Sequence, residues 1–184
     1  MSYPIHTLKH EHRVIEQGLR ALNGVCLRLA SGQWIPPGTL SQLLDFIRTF
    51  ADQYHHGKEE AHFFPALERR GIRREAGPLE MLAHQHEIER ELSAKLCLAI
   101  EDYAEAYPKA HERFITAARR YIDLMVTHME TEDKLLFRLA EEILDEKDKA
   151  ELTAAFKQAE LELSPGAVEK YEQIAAQLEM DWTL

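Results

Sequence analysis

Ten histidines stand in a chain of net charge −10, where an acidic protein has little generic use for them. Two of them begin the same four-residue step: His55 with Glu59, and His128 with Glu132, are each His-x3-Glu. Residues four apart share a helix face, so each pair points an imidazole and a carboxylate the same way. On a solvated face such a pair is a weak contact, worth about 0.2–0.5 kcal/mol. In a core, a carboxylate without a partner costs several kcal/mol, and carboxylates placed together cost more. A cation removes that cost. Mixed imidazole and carboxylate ligation suits iron, manganese or zinc, whereas calcium and magnesium prefer shells made of oxygen.

The neighbours of each pair decide which way it points. Around His128 and Glu132 the row reads Phe114, Ala117, Tyr121, Leu124, then Leu135 and Leu139, so the polar pair interrupts an apolar stripe. Two pairs compete in the preceding helix. Ile47, Ala51, His55, Glu59, Phe63 and Leu67 form a core row; Arg48, Asp52, His56, Glu60 and Phe64 form a largely solvated one. His55 and Glu59 are therefore assigned inward, His56 and Glu60 outward. His12 falls in the stripe of Ile5, Leu8, Ile15, Leu19, Leu22, Cys26 and Leu29. In His84-Gln85-His86, periodicity only slightly favours His86, which shares its row with Leu79, Leu82, Ser93, Cys97 and Ile100. His6, His10, His62, His84 and His111 are assigned to the surface or to hydrogen-bonding roles behind the site. Glu16 repeats the four-residue step from His12 and is assigned as an exposed glutamate.

These rows require long helices, and hydrophobic periodicity is helical nearly everywhere. The first helix ends at Ser31-Gly32 and a second runs from about Thr39 to Arg70. Gly77-Pro78 opens a third, and a fourth follows Pro108 and continues to about Glu146. Short links between long helices predict an all-α, up-down-up-down four-helix bundle over 1–146. Two shorter amphipathic helices around Ser164-Pro165-Gly166 are read as a C-terminal cap, 147–184, because neither could bury its apolar face alone. At ~1.5 Å per residue, His12 lies about 28 Å before the first link and His55 about 24 Å after it; His86 and His128 lie about 30 Å from the turn near Pro108. The second link fits less well unless the second helix ends a turn early. With that allowance, His12, His55, Glu59, His86, His128 and Glu132 meet at one level. Six such donors, with no thiolate, are too many for a catalytic zinc and suit two iron ions bridged by both carboxylates.

A chain of 184 residues with 45% hydrophobic content holds one full core. Its acidity, with a pI near 5.5, argues against nucleic acid. No apolar run reaches a membrane span, and the N-terminus shows no secretory signal. Cys26 and Cys97 read as buried thiols in a reduced, cytoplasmic protein.

The residues resemble the hemerythrin-like family, also called the HHE cation-binding domain. Its pattern of one His, His-x3-Glu, one His and His-x3-Glu on successive helices is met by His12, by His55 and Glu59 in HHGKEEAHFFP, by His86 in HQHE, and by His128 and Glu132 in HMETEDKLLF. The stretch KEE-x3-FP is similar to the family's segment after the second-helix ligand. The resemblance covers about residues 5–145, and it selects His86. It departs from the oxygen-carrying members at Arg90, where those place a second third-helix histidine, and at Glu132, where those place an aspartate one residue later. The resemblance therefore implies a four-His, two-Glu diiron centre linked with oxygen, nitric oxide, peroxide or iron, rather than reversible oxygen transport. Three functions follow as expectations: a module that binds or senses O2, NO or H2O2; an enzyme acting on peroxide or nitric oxide, with a redox partner, or donating iron for iron–sulfur repair; and a structural bundle with an incidental site. Tyr54 and Tyr121 lie near the ligand rows as packing or redox-active neighbours.

Overall fold

The computed structural model describes residues 3–183, which form six helices and, among the described residues, no strand. Residues 1–2 and 184, at the outer ends of the two expected segments, lie outside that description. Helix α1 is Tyr3–Ala30, α2 spans 37–69, α3 is Pro78–Ala104 and α4 spans 110–143. Helices α5, Glu146–Leu163, and α6, Ala167–Trp182, complete the chain. In the bundle, α1 and α3 each pack against both α2 and α4, while α5 and α6 lie against α1 and α2.

Local chemistry sets the boundaries. Prolines occupy the first turns of α2 and α3, where no backbone donor is needed. Gly32 and Gly71 end α1 and α2 with φ of 82° and 96°, which favours glycine. Asp145 accepts from the backbone N–H of Lys147 and Asp148, and Asp148 reciprocates on the Asp145 N–H. This capping box starts α5 and so stops α4 at Ile143, earlier than periodicity predicts. Helix α2 does not end a turn early, and in the link 70–77 that follows it Ile72 packs on the core.

Neither α2 nor α4 is regular, and this overturns part of the row assignment. The Gly57 N–H donates to the Asp52 carbonyl, the Phe64 N–H to Glu59 and the Phe137 N–H to Glu132, each five residues back. These π turns span Ile47–His56, Glu59–Phe63 and Glu132–Leu136. A wider turn takes up an extra residue, so stepping by four loses the face. In α4 the buried row passes to Leu136 and Ala140, leaving Leu135 51% exposed. In α2, His55, Glu59, Phe63 and Leu67 are buried as expected, but so are His56 and Phe64. The outward assignment of His56 is therefore corrected: the π turn brings both members of the His55-His56 doublet inside.

The apolar core is split in two. One cluster includes Ile15, Leu19, Phe50, Tyr54, Leu92, Tyr121 and Met125; the other includes Leu8, Phe63, Phe64, Leu82, Leu136 and Phe137. Residues 12, 55–59, 86 and 132 lie between them in sequence, and His128 sits at the edge of the first, between Met125 and Met129. The tail belongs to both clusters, through Leu152 and Phe156 of α5 and Tyr171, Ala175 and Leu178 of α6. Cys26 is buried and Cys97 only half-buried, both as free thiols.

Helix α6 comes close to α1 at Gly24. A Cβ added at Gly24 would stand 1.8 Å from the Trp182 carbonyl oxygen, which is backbone and cannot swing away. Gly24→Ala is expected to displace the end of α6 at a cost of about 1–3 kcal/mol, read as a lower urea midpoint with little change at the bundle centre.

Candidate metal centre

Each bundle helix delivers its share of one buried layer. The donor atoms of His12, His55, Glu59 and Glu132 lie within 4.8 Å of one another, as do those of His56, Glu59, His86 and His128. Glu59 belongs to both groups and links them, with Oε1 3.5 Å from His55 Nε2 and Oε2 3.5 Å from His86 Nε2. Glu132 links them again, its Oε2 3.2 Å from His12 Nε2 and 3.4 Å from His128 Nε2. All six residues expected from the spacing are thus brought together, with His56 as a seventh. Glu16 is exposed, as assigned. His10 bonds instead to Glu172 on the surface, at 2.6 Å, and His84 pairs with Glu87 in solvent.

Only two of the converging donor atoms bond to one another, His86 Nε2 and His128 Nε2 at 3.2 Å. Both oxygens of Glu59 and Glu132, both ring nitrogens of His12 and His56, and His55 Nε2 are buried with no hydrogen-bond partner. Buried polar groups are nearly always satisfied, so this many orphans aimed at two points is the expected signature of absent cations. The donor set fits the metals that the spacing indicated.

Behind the layer, the outward nitrogens are held. His55 Nδ1–H donates to Glu11 Oε2 at 2.9 Å and His86 Nδ1–H to Glu60 Oε1 at 2.7 Å. His128 Nδ1–H donates to the Gln85 side-chain oxygen at 3.1 Å, and His12 Nδ1 stands 3.3 Å from Asp133. Such contacts fix the ring tautomer and leave Nε2 free to ligate. Arg90 does not enter the layer. It donates to Asp52 and Glu60, both at 2.7 Å, clasping the carboxylates behind His56 and His86. Phe137 stacks on His12 and Phe64 on His86, closing one side with hydrocarbon.

Two buried acids and a lysine escaped the periodicity argument. Glu11 is 2% exposed and carries both His55 and the Lys58 ammonium, which also lies 3.7 Å from the centre of the Tyr54 ring. Glu89 is equally buried, with Glu89 Oε2 3.5 Å from His56 Nε2. A signal existed: Leu8–Glu11–Ile15 and Leu82–His86–Glu89–Ser93 keep three-four spacing. Acidic side chains, assigned outward by default, hid it.

Protonation follows from this packing. Burial opposes a charge on His12 and His86, yet the Asp133 and Glu132 carboxylates beside the first, and the Glu59 and Glu60 carboxylates beside the second, raise both to about 10. Burial, then the neighbouring His86 and His128, holds His56 well below its usual range. Burial would raise Glu132, but the adjacent His128 and His12 hold it well below the carboxylate range. Burial raises the Tyr54 and Tyr121 phenols and keeps both neutral.

The chain belongs to the hemerythrin HHE cation-binding domain family, whose profile matches residues 3–140. It is 24% identical over 153 residues to uncharacterized proteins of Mycobacterium tuberculosis and Mycobacterium bovis, an alignment covering 83% of this chain and 59% of each relative. The chain thus spans under two thirds of the length of these relatives. No solved structure is significantly similar to it. No helix among the described residues is long and apolar enough to cross a membrane.

Two predictions follow from the metal-free layer. The stability that protonated His12 and His86 contribute is complete below 6.5 and is lost as pH rises from there through about 10. His56 acts oppositely, losing stability as pH falls below 6.5. Metal-free protein is therefore expected to melt highest near neutrality and lower by pH 9, whereas bound metal replaces those protons and flattens the alkaline decline; differential scanning calorimetry of both forms measures this. Separately, Glu11→Gln or Lys58→Met alone leaves one buried charge unpaired, at about 3–5 kcal/mol. The double variant is expected to be more stable than either single one in urea unfolding.

Proposed function

We propose that this protein is a non-haem diiron protein that binds or senses a small oxidant or diatomic molecule: oxygen, nitric oxide or peroxide. One observation carries the reading: two groups of buried donors share Glu59, and the facing atoms of His12, His55, His56, Glu59 and Glu132 have no hydrogen-bond partners. Imidazole and carboxylate together favour iron over calcium or magnesium, and a paired site favours iron over a structural zinc, which four ligands satisfy. His12, His55, His86 and His128 would hold the two ions, with Glu59 and Glu132 between them. Bound iron would supply open coordination positions and one-electron chemistry.

The residues around the donors determine what such a centre meets. Full burial of His55, Glu59, His86, His128 and Glu132 excludes bulk water and admits only small ligands. The side-chain oxygens behind His12, His55, His86 and His128 keep Nε2 aimed inward before any ion arrives. We place the protein in the cytoplasm, in keeping with its two free cysteines. A second reading, turnover of peroxide, or of nitric oxide with a redox partner, is favoured by Tyr121. Its phenol is fully buried, and the neighbouring Glu89 and Asp52 carboxylates add to burial in keeping it neutral.

Protein purified after iron-replete expression is expected to hold about two irons per chain, and His55→Ala/His128→Ala to lose most of them. Mixing the anaerobic ferrous protein with oxygen, peroxide and nitric oxide in turn separates the readings. A stable spectrum restored on removing the ligand supports binding or sensing; catalytic loss of peroxide or nitric oxide establishes an enzyme. Absence of iron, or a double variant that keeps it, overturns both.

A further inference from the structure

The buried glutamates fall into two kinds. Glu11 is fully engaged by His55 and Lys58. Among the described residues, three glutamates are buried with both oxygens lacking a hydrogen-bond partner: Glu59, Glu132 and Glu89. The first two are the bridging candidates. Glu89, on α3 three residues after His86, is 2% exposed and has no role in the six-donor pattern. The nearest arginine in sequence is Arg90, which turns away to Asp52 and Glu60. The nearest imidazole nitrogen is His56 Nε2, at 3.5 Å, itself an orphan and part of the group with His86 and His128.

Building on the diiron reading, we infer that Glu89 is a third carboxylate ligand, acting with His56 on the His86/His128 side and making the two metal positions inequivalent. Charge supports the count. Three carboxylates in a layer of neutral imidazoles exceed what one divalent ion offsets and fall within what two offset. Donor number supports the asymmetry. His56, His86, His128 and Glu89, with one oxygen each from Glu59 and Glu132, offer one ion six protein donors. His12 and His55 with the same two bridging carboxylates offer the other only four. An ion on the His12/His55 side would have fewer protein donors than one on the His86/His128 side.

The test compares wild-type protein loaded with 57Fe against Glu89→Ala and His56→Gln. Mössbauer spectra of the wild type are expected to show two distinct doublets of equal area. In each variant one doublet shifts, or iron falls from about two per chain towards one, while the other doublet keeps its parameters. Metal-free Glu89→Gln is expected to melt at or above the wild type, because a ligand that awaits a metal is a liability without it. Two irons with unchanged doublets in Glu89→Ala, or a metal-free Glu89→Gln protein that melts lower, overturn the inference alone. Wild-type protein that takes up no iron overturns the diiron reading and this inference with it.

Discussion

Carboxylates buried without hydrogen bonds in the middle of the bundle are the constraint around which this molecule is organised. Glu59, Glu89 and Glu132 are removed from water by four packed helices, and none is paid back by a hydrogen bond of its own. Desolvating one such group costs several kcal/mol, which the charged imidazoles beside Glu59 and Glu132 offset only in part, against the 5–15 kcal/mol by which domains of this kind are stable. Two apolar clusters, one on each side, and a tail that packs on both must carry that burden. Cations at the layer reverse it.

The same constraint explains the irregular backbone. A regular α2 would turn either His55 or His56 outward. The π turns at Ile47–His56 and Glu59–Phe63 let both rings and Glu59 face one interior, and the turn at Glu132–Leu136 re-aims the apolar row after the last ligand. Wide turns are less well packed than α turns and recur at functional sites. Here they lie on the two helices that carry His-x3-Glu. The hydrogen bonds behind the layer work to the same end: Glu11, Glu60, Gln85 and Asp133 approach the outer nitrogens of four rings.

Helical periodicity made the fold and much of the layer legible. The stripe from Ile5 to Leu29 is buried throughout, and the row from Ile47 to Leu67 faces in as read. His86 needed the family pattern, because Met81 and Ile88 made the row of His84 almost as plausible. The misreading of His56 has a physical origin: stepping by four assumes an α-helix, and hydrogen bonds to the fifth residue cannot be seen in a row of letters. Glu89 and Lys58 stayed hidden because a charged side chain is assigned to solvent unless its partner is known, and those partners come from other helices.

Anomalous diffraction at the iron edge, from crystals of the iron-loaded protein, tests the central claim most directly. The account predicts two iron peaks inside the layer, about 3.5–4 Å apart, one beside His12 and His55 and the other beside His86 and His128. A single peak, or iron only at surface carboxylates, would contradict it.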